Sequence, residues 1–174
     1  NIPPFLFYAS GMLVWTSFYR VSNFASEIFI SYGNILRSIY IPKICLFASI
    51  ILHGMYIFFV NLIIFSIIYL IYLSLGTTIE FNFFLLIFLL PVIFFISLLS
   101  TLIGLIIAFI GSTFRDLKFF LQYALQSLFY FSPIIYSINS IPEKFKFFFY
   151  LNPLVFFIDY FKRLFFSISS IDQI

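Results

Sequence analysis

The stretch that decides the fold runs from Ile44 to Leu73 and reads ICLFASIILHGMYIFFVNLIIFSIIYLIYL. It contains no Asp, Glu, Lys or Arg, and its part from Ile57 to Leu73 is apolar on every side instead of on one face. A helix needs about 20 apolar residues to cross a hydrocarbon core of about 30 Å. Because this stretch is longer than that, it predicts a membrane-spanning helix that tilts or protrudes.

Similar charge-free runs follow it. No charged residue occurs between Glu80 and Arg115, or between Lys118 and Glu143. Only 9% of the 174 residues are charged, against about 25% in typical soluble domains. An unusually apolar globular core is the alternative, but no soluble fold buries this much apolar surface. A β-barrel requires alternating apolar and polar residues, which the runs lack, so helices must satisfy the backbone in lipid.

The predicted fold is therefore an all-α integral membrane protein, a polytopic helical bundle with about four spanning helices. Loops at 31–43, 74–82 and 112–118 separate the apolar runs, because Gly, Pro and charged residues concentrate there. The predicted spans are Phe5–Phe29, Ile44–Leu73, Phe83–Ile110 and Phe119–Ile138.

After Pro142 the apolar pattern breaks into pieces that are too short to cross a bilayer. Pro153, Asp159 and Lys162 are among the residues that interrupt it. Pieces of about 10 to 14 residues are typical of interfacial or re-entrant helices. We therefore predict two short re-entrant helices here in place of another span.

Charge alone leaves the topology open. The loops at 31–43 and 112–118 together hold four Lys and Arg residues, and the turn at 74–82 holds none, which favours placing the two loops in the cytoplasm. The segment after Pro142 also holds four, on the opposite side by simple alternation. The net charge of +3 lies mostly in loops, and therefore relates to membrane orientation and not to nucleic-acid binding.

No metal or redox site is predicted. Cys45 is the single cysteine, so an internal disulfide cannot form. His53 has no Cys, Asp or Glu at metal-ligand spacing, and we expect it to make an interhelical hydrogen bond. We expect no cofactor on this chain.

Six short motifs occur in order along nearly the whole chain: SGMLVW at 10–15, NILRSIYIPK at 34–43, FRD at 114–116, FSPI at 131–134, IPEK at 141–144 and LNP at 151–153. None is decisive alone. The ordered set resembles the type-2 ABC permeases that export O-antigen and teichoic acid.

The resemblance implies six transmembrane helices per full-length subunit, a homodimer in the cytoplasmic (inner) membrane, and a separate cytoplasmic ABC ATPase subunit that binds ATP and Mg. Residues 1–174 are then a single permease domain. It would hold the second to fifth helices and two short outer helices, as a fragment that lacks the first and last helices. The implied cargo is a lipid-linked polysaccharide, and the chain itself is not an enzyme.

The resemblance also assigns roles to residues at the membrane boundaries. The loop at 31–43 would face the ATPase, with Arg37 and Lys43 available to pair with acidic groups and Pro42 fixing the exit into the second span. Ordinary positive-inside anchoring is the alternative for these cations. In the motif Phe114-Arg115-Asp116, Arg115 can bond lipid phosphate or a helix end and Asp116 can cap the next helix. We expect that motif to be structural. The outer re-entrant region would include Pro142, Asn152 and Pro153.

Candidate residues for a translocation path lie in the fourth predicted span. Their spacing of three and four residues places them on one helical face, which is expected to line an interior because polar groups are costly in lipid. Aromatic rings stack on sugar faces, while amides and hydroxyls bond sugar hydroxyls. Ordinary helix packing is the alternative. The residues are Tyr123, Gln126, Ser127 and Tyr130, with a weaker set of Trp15, Tyr19 and Asn23 in the first span.

The chain contains no glycine-rich phosphate loop, so a transporter of this kind needs an ATPase on another chain.

Three other functions compete with polysaccharide export. A transferase acting on lipid-linked sugars would need paired carboxylates or a positioned base, and the six acidic residues are scattered singly. A channel would be expected to show a filter sequence. An ABC exporter of drugs or small lipids remains an alternative cargo class.

Overall fold

The computed structural model describes residues 3–31, 42–75, 87–136 and 142–166. Every regular element in these ranges is helical, which confirms the all-α prediction. The predicted coupling residue Arg37 and most of the predicted turn at 74–82 lie outside the described residues. The helices are α1 (Pro4–Ser31), α2 (Lys43–Ser74), α3 (Leu89–Thr113), α4 (Arg115–Ser127), α5 (Glu143–Tyr150) and α6 (Leu154–Phe165).

Two of these helices are long and apolar enough to cross a membrane, at Ile44–Ser74 and Leu89–Thr113. Only 17% of the apolar stretch of α2 is buried inside the chain, so most of its surface is available to lipid. Pro91 lies in the first turn of α3, where its missing N–H would have had no partner in any case. The second and third predicted spans therefore correspond to single helices.

The fourth predicted span requires a correction. The apolar pattern predicted one helix over Phe119–Ile138, but α4 ends at Ser127 after 13 residues, about 20 Å at ~1.5 Å per residue. Residues 128–136 form turns, in which Ser132 N–H donates to the carbonyl of Phe129 at 3.2 Å. Pro133 disfavours a helical conformation at the preceding residue and has no N–H to continue a helix. The apolar sequence therefore extends beyond the end of the helix.

Helix α1 is central to the packing. It contacts α2, α3 and α6 and reaches α4. Its buried face includes Val14, Phe18 and Ala25, which are inaccessible to solvent. Its length of 28 residues is sufficient to cross a membrane, but Arg20 and Glu27 make it more polar than the two apolar helices.

Helices α1 and α2 are antiparallel along their whole length. The ring of Phe5 stacks on Tyr72 at 6.3 Å near one end, and the ring of Phe24 lies 4.1 Å from His53 near the other. The Ser31 end of α1 therefore lies beside the start of α2, and the Pro4 end of α1 lies beside the end of α2.

Helices α1 and α3 run parallel and approach closely. Ser22 Oγ donates to the carbonyl of Ser100 at 3.1 Å. A Cβ added at Gly104 would collide with the carbonyl oxygen of Ser22 and would lie 2.5 Å from Cβ of Ala25. Only glycine fits at this crossing, because any side chain would push the two helices apart.

The two short helices predicted after Pro142 are confirmed as α5, of 8 residues, and α6, of 12 residues. Helix α6 folds back onto the first two helices. The ring of Phe161 lies 5.1 Å from Phe58 of α2, and Phe166 lies 6.3 Å from Phe7 of α1. The end of the described chain is therefore anchored at the Pro4 end of α1.

Candidate functional site

The predicted aromatic and polar face is found on the outside of α4. Tyr123 is 72% exposed, Gln126 and Ser127 are exposed, and Leu125 on the opposite side is buried. Tyr130 is 76% exposed but lies in the turn after the helix. The structure thus brings three of the four residues onto one helical face, with the fourth just beyond its end.

Trp15 and Tyr19 lie deeper than Tyr123. Trp15 is 6% exposed, stacks on Tyr19 at 6.0 Å, and meets the ring of Phe129 edge-on at 5.6 Å. Because Phe129 lies two residues after the end of α4, these rings join the middle of α1 to the end of α4. Trp15 therefore belongs to the packed interior of this chain, and Tyr19 is half-buried beside it.

A polar contact joins the same two helices closer to the Ser31 end. Gln122 Nε2 donates to Asn23 Oδ1 at 3.2 Å, and Asn23 Nδ2 donates to the carbonyl of Tyr19 at 3.1 Å. Sequence reasoning singled out Asn23 but missed Gln122. Its position one turn before Gln126 was the available signal.

An apolar groove of about 260 Å³ lies between α1 and α2. Tyr8 and Met12 line it from α1, and Ile64 and Ile68 line it from α2. Towards the Ser31 end the lining becomes polar. There Asn61 Nδ2 donates to Ser17 Oγ at 2.9 Å and to Thr16 Oγ1 at 3.4 Å.

Asn152 fastens the start of α6 to the turns that follow α4. Its Nδ2 donates to Ser132 Oγ at 3.0 Å and to the carbonyl of Phe131 at 3.4 Å. Its Oδ1 accepts a hydrogen bond from the backbone N–H of Leu154 at 3.0 Å. The side chain therefore satisfies one helix terminus and holds the preceding turns with the same amide.

Lys162 holds the other half of those turns, a role that no sequence pattern indicated. Its side chain is 3% exposed, and Nζ donates to the carbonyls of Pro133 at 2.6 Å, Ile134 at 3.2 Å and Tyr136 at 3.2 Å. The ammonium also lies 3.6 Å from the ring centroid of Phe7. Three donors thus meet three acceptors, so the buried cation is fully hydrogen-bonded.

Burial lowers the pKa of Lys162 to about 7, and the carboxylate of Asp159 opposes that fall. Asp159 in turn accepts a hydrogen bond from Arg163 Nε at 2.7 Å on the outside of α6. We call Asn152 and Lys162, with the turns at 131–136 that they hold, the outer bracket.

The boundary motifs begin helices. Phe114 is the single residue between α3 and α4, and its carbonyl accepts a hydrogen bond from Leu117 N–H at 3.1 Å. The expected cap at Asp116 is corrected: Phe114 holds the cap position, and Asp116 is the second residue of α4.

Three prolines from the predicted motifs precede helices in the same way. Pro42 directly precedes α2 at Lys43, as predicted. Pro142 and Pro153 precede α5 and α6. Each proline therefore fixes the entry of the chain into the helix that follows it.

Within the described ranges, no group of three His, Cys, Asp or Glu residues could hold a metal ion. His53 contributes ring packing between Phe24, at 4.1 Å, and Tyr56, at 6.4 Å.

A family model described as ABC-2 type transporter matches residues 1–166. No curated protein matches the chain. The matched region contains all the described helices, the two apolar helices that can cross a membrane, and the outer bracket. The chain belongs to the ABC-2 type transporter family, as the membrane component of an ABC transporter.

Proposed function

We propose that this chain is the permease subunit of an ATP-driven exporter that moves a lipid-linked polysaccharide across the cytoplasmic membrane, working as a homodimer. The family implies an ABC ATPase partner, so ATP and Mg bind on that other subunit. The choice of cargo rests on one observation: Tyr123, Gln126 and Ser127 are exposed together on one face of α4.

Ser127 Oγ donates to the carbonyl of Ala124 at 2.7 Å within α4, but an exposed amide that faces hydrocarbon is costly, so Gln126 requires a polar neighbour. A second copy of the chain that presents the same face would enclose a path between the two α4 helices. Sugar rings stack on tyrosine, and sugar hydroxyls exchange hydrogen bonds with Gln126 and Ser127. A purely apolar cargo would make no use of the amide.

The arrangement of helix ends supports the orientation. Ser31, Lys43 and Thr113 lie at one end of the bundle, because α1 and α3 run parallel and α2 runs against them. The α1–α2 connection and the α3–α4 junction, whose sequences at 31–43 and 112–118 hold four cations, therefore share one side. Lys162 at the other side is buried and internally hydrogen-bonded, so it does not act as a free surface cation. Without Lys162, the segment after Pro142 holds fewer free cations than the two segments at 31–43 and 112–118. This difference favours placing those two segments in the cytoplasm.

We propose that α1 also crosses the membrane, with α2, α3 and α6 covering its buried face. The outer bracket and α5 would then close the outer side, as a gate above the path. On the cytoplasmic side, Arg37, Pro42 and Lys43 would transmit ATP-driven motion from the ATPase into α2.

The test is depletion of this permease in a cell that makes the polymer. Full-length lipid-linked polysaccharide should accumulate in the cytoplasm, and the permease should co-purify with an ABC ATPase. Charge reversal of Arg37 should weaken that co-purification. Normal surface polysaccharide, together with lost resistance to a drug, would instead establish the drug or small-lipid exporter. Loss of a sugar-transfer step inside the cell would establish the transferase.

A further inference from the structure

Arg20 is a charged residue on the exposed face of α1, where the apolar groove also lies. Met12 and Thr16 line the groove, and Arg20 follows Thr16 by four residues. Residues four apart lie on the same side of a helix, about 6 Å further along the axis. The side chain of Arg20 is therefore placed one turn beyond the polar end of the groove.

Arg20 is exposed, and none of the carboxylates whose side chains the structure describes lies at ion-pair distance from it. Glu27 lies on the same face but two turns away, at about 10 Å along the axis. Arg163, the other arginine whose side chain is described, is paired with Asp159 at 2.7 Å. Arg20 therefore has its guanidinium available to an external anion.

The depth of Arg20 makes this exposure significant. It precedes Ser31 by 11 residues, about 16 Å of helix. Asn61 bonds Ser17 and His53 packs on Phe24, so the antiparallel register places Arg20 beside the middle of α2. That position is near the centre of a hydrocarbon core of about 30 Å. A charge there marks a substrate pathway by default, because it is costly without a polar partner.

The groove and the arginine together suit one kind of molecule. The groove offers an apolar surface of about 260 Å³ between α1 and α2, and its polar atoms at Asn61 and Thr16 already bond each other. A hydrocarbon chain fits such a lining. A guanidinium presents paired N–H donors that match a phosphate better than any other anion-binding side chain does. Both features occur together in a lipid phosphate.

We propose that Arg20 binds the phosphate of the lipid carrier midway through the membrane, while the groove between α1 and α2 holds the adjoining part of its hydrocarbon chain. The inference rests on the proposed function, since the carrier is the lipid of the exported polysaccharide. Pairing with Arg20 lowers the cost of bringing a phosphate into the hydrocarbon core. The tail stays in an apolar environment throughout.

The test measures binding of a labelled polyprenyl phosphate to the permease purified with its ATPase subunit. Binding should weaken at least about tenfold in Arg20→Gln, the factor that corresponds to one charge-assisted hydrogen bond. Arg20→Lys should recover part of it. The control Arg163→Gln, which removes the exposed arginine of α6, should bind as the wild type does. Retained ATPase association shows that each variant is folded. Equal binding by wild type and Arg20→Gln would overturn the proposal.

Three competitors distinguish the possible occupants. Unlabelled polyprenyl phosphate should displace the probe, whereas neutral polyprenol and inorganic phosphate should not at the same concentration. Displacement by polyprenol would remove the role of the phosphate, and displacement by inorganic phosphate would remove the role of the tail. Ala9→Phe, which fills the groove, should weaken probe binding. Disulfide linkage of Met12→Cys to a second copy, in a Cys45→Ser background, would show that protein covers the groove and would contradict the proposal.

The outcome separates this site from the proposed function. Polymer export that persists in Arg20→Gln with reduced probe binding contradicts a role of the site in transport, and export that fails with unchanged probe binding contradicts the site itself. Both results leave the exporter intact. Specific binding at Arg20 in a wild-type complex that exports no polysaccharide contradicts the exporter and leaves a lipid-phosphate site.

Discussion

Replacing Asn152 by alanine should destabilise the chain strongly. The substitution removes two hydrogen bonds of 3.0 Å, to Ser132 Oγ and from Leu154 N–H, and a longer one of 3.4 Å to the carbonyl of Phe131. At about 1 kcal/mol for each good bond, plus the cost of leaving a buried N–H without a partner, the loss is about 2–3 kcal/mol. A change of 1 kcal/mol moves the melting temperature of a chain of this size by about 2–4 °C. Asn152→Ala should therefore melt about 4–12 °C below the wild type.

The assay is thermal unfolding of the purified permease in detergent, followed by tryptophan emission. Trp15 is the one tryptophan of the sequence, and it packs on Phe129 directly before the turns that Asn152 holds. Gln126→Ala, which removes an exposed amide from α4, is the matched control and should change the melting temperature by no more than about 1–2 °C. If Asn152→Ala melts together with that control, the outer bracket does not fasten α6 to the turns.

Three further outcomes follow from the structure. Gly104→Val should abolish the folded yield in size-exclusion profiles, since even a Cβ there collides with α1; a normal monodisperse peak would contradict the close crossing. The pKa of Lys162 is about 7 in the folded chain and 10.5 in a free lysine, so the unfolded chain binds the extra proton between those values. The wild type should therefore gain melting temperature relative to Lys162→Met as the pH rises from about 7 to 9, and parallel curves would contradict the burial of the ammonium. Tyr123→Ala with Tyr130→Ala should reduce polymer export without loss of ATPase association, while Tyr56→Ala on α2 should not; unchanged export would assign the α4 face to packing.

The long apolar helices could be predicted because their signal is compositional. A run such as Ile44–Leu73 satisfies its backbone in lipid only as a helix, whatever surrounds it. The end of α4 was missed because apolar residues continue through Ile134 and Ile135 without a change of pattern. Pro133 marked the interruption, but proline is also tolerated within transmembrane helices, so the sequence did not decide between the two.

The exposed face of α4 followed from helical spacing, which fixes Tyr123, Gln126 and Ser127 on one side. The partners of Lys162 could not be read in the same way. Its acceptors are backbone carbonyls 26 to 29 residues earlier in the chain. Every residue carries a carbonyl, so no residue type identifies them. Trp15 shows the same limit, because only the folded chain reveals that Phe129 packs against it.

The most direct test of the central claim is transport by the purified permease and its ABC ATPase in proteoliposomes loaded with lipid-linked polysaccharide. We expect that ATP, and not a non-hydrolysable analogue, moves the polymer to the opposite leaflet, where an added glycosidase can cleave it. ATP hydrolysis that leaves the polymer uncleaved by the glycosidase, together with movement of a drug or a small lipid, would contradict polysaccharide export.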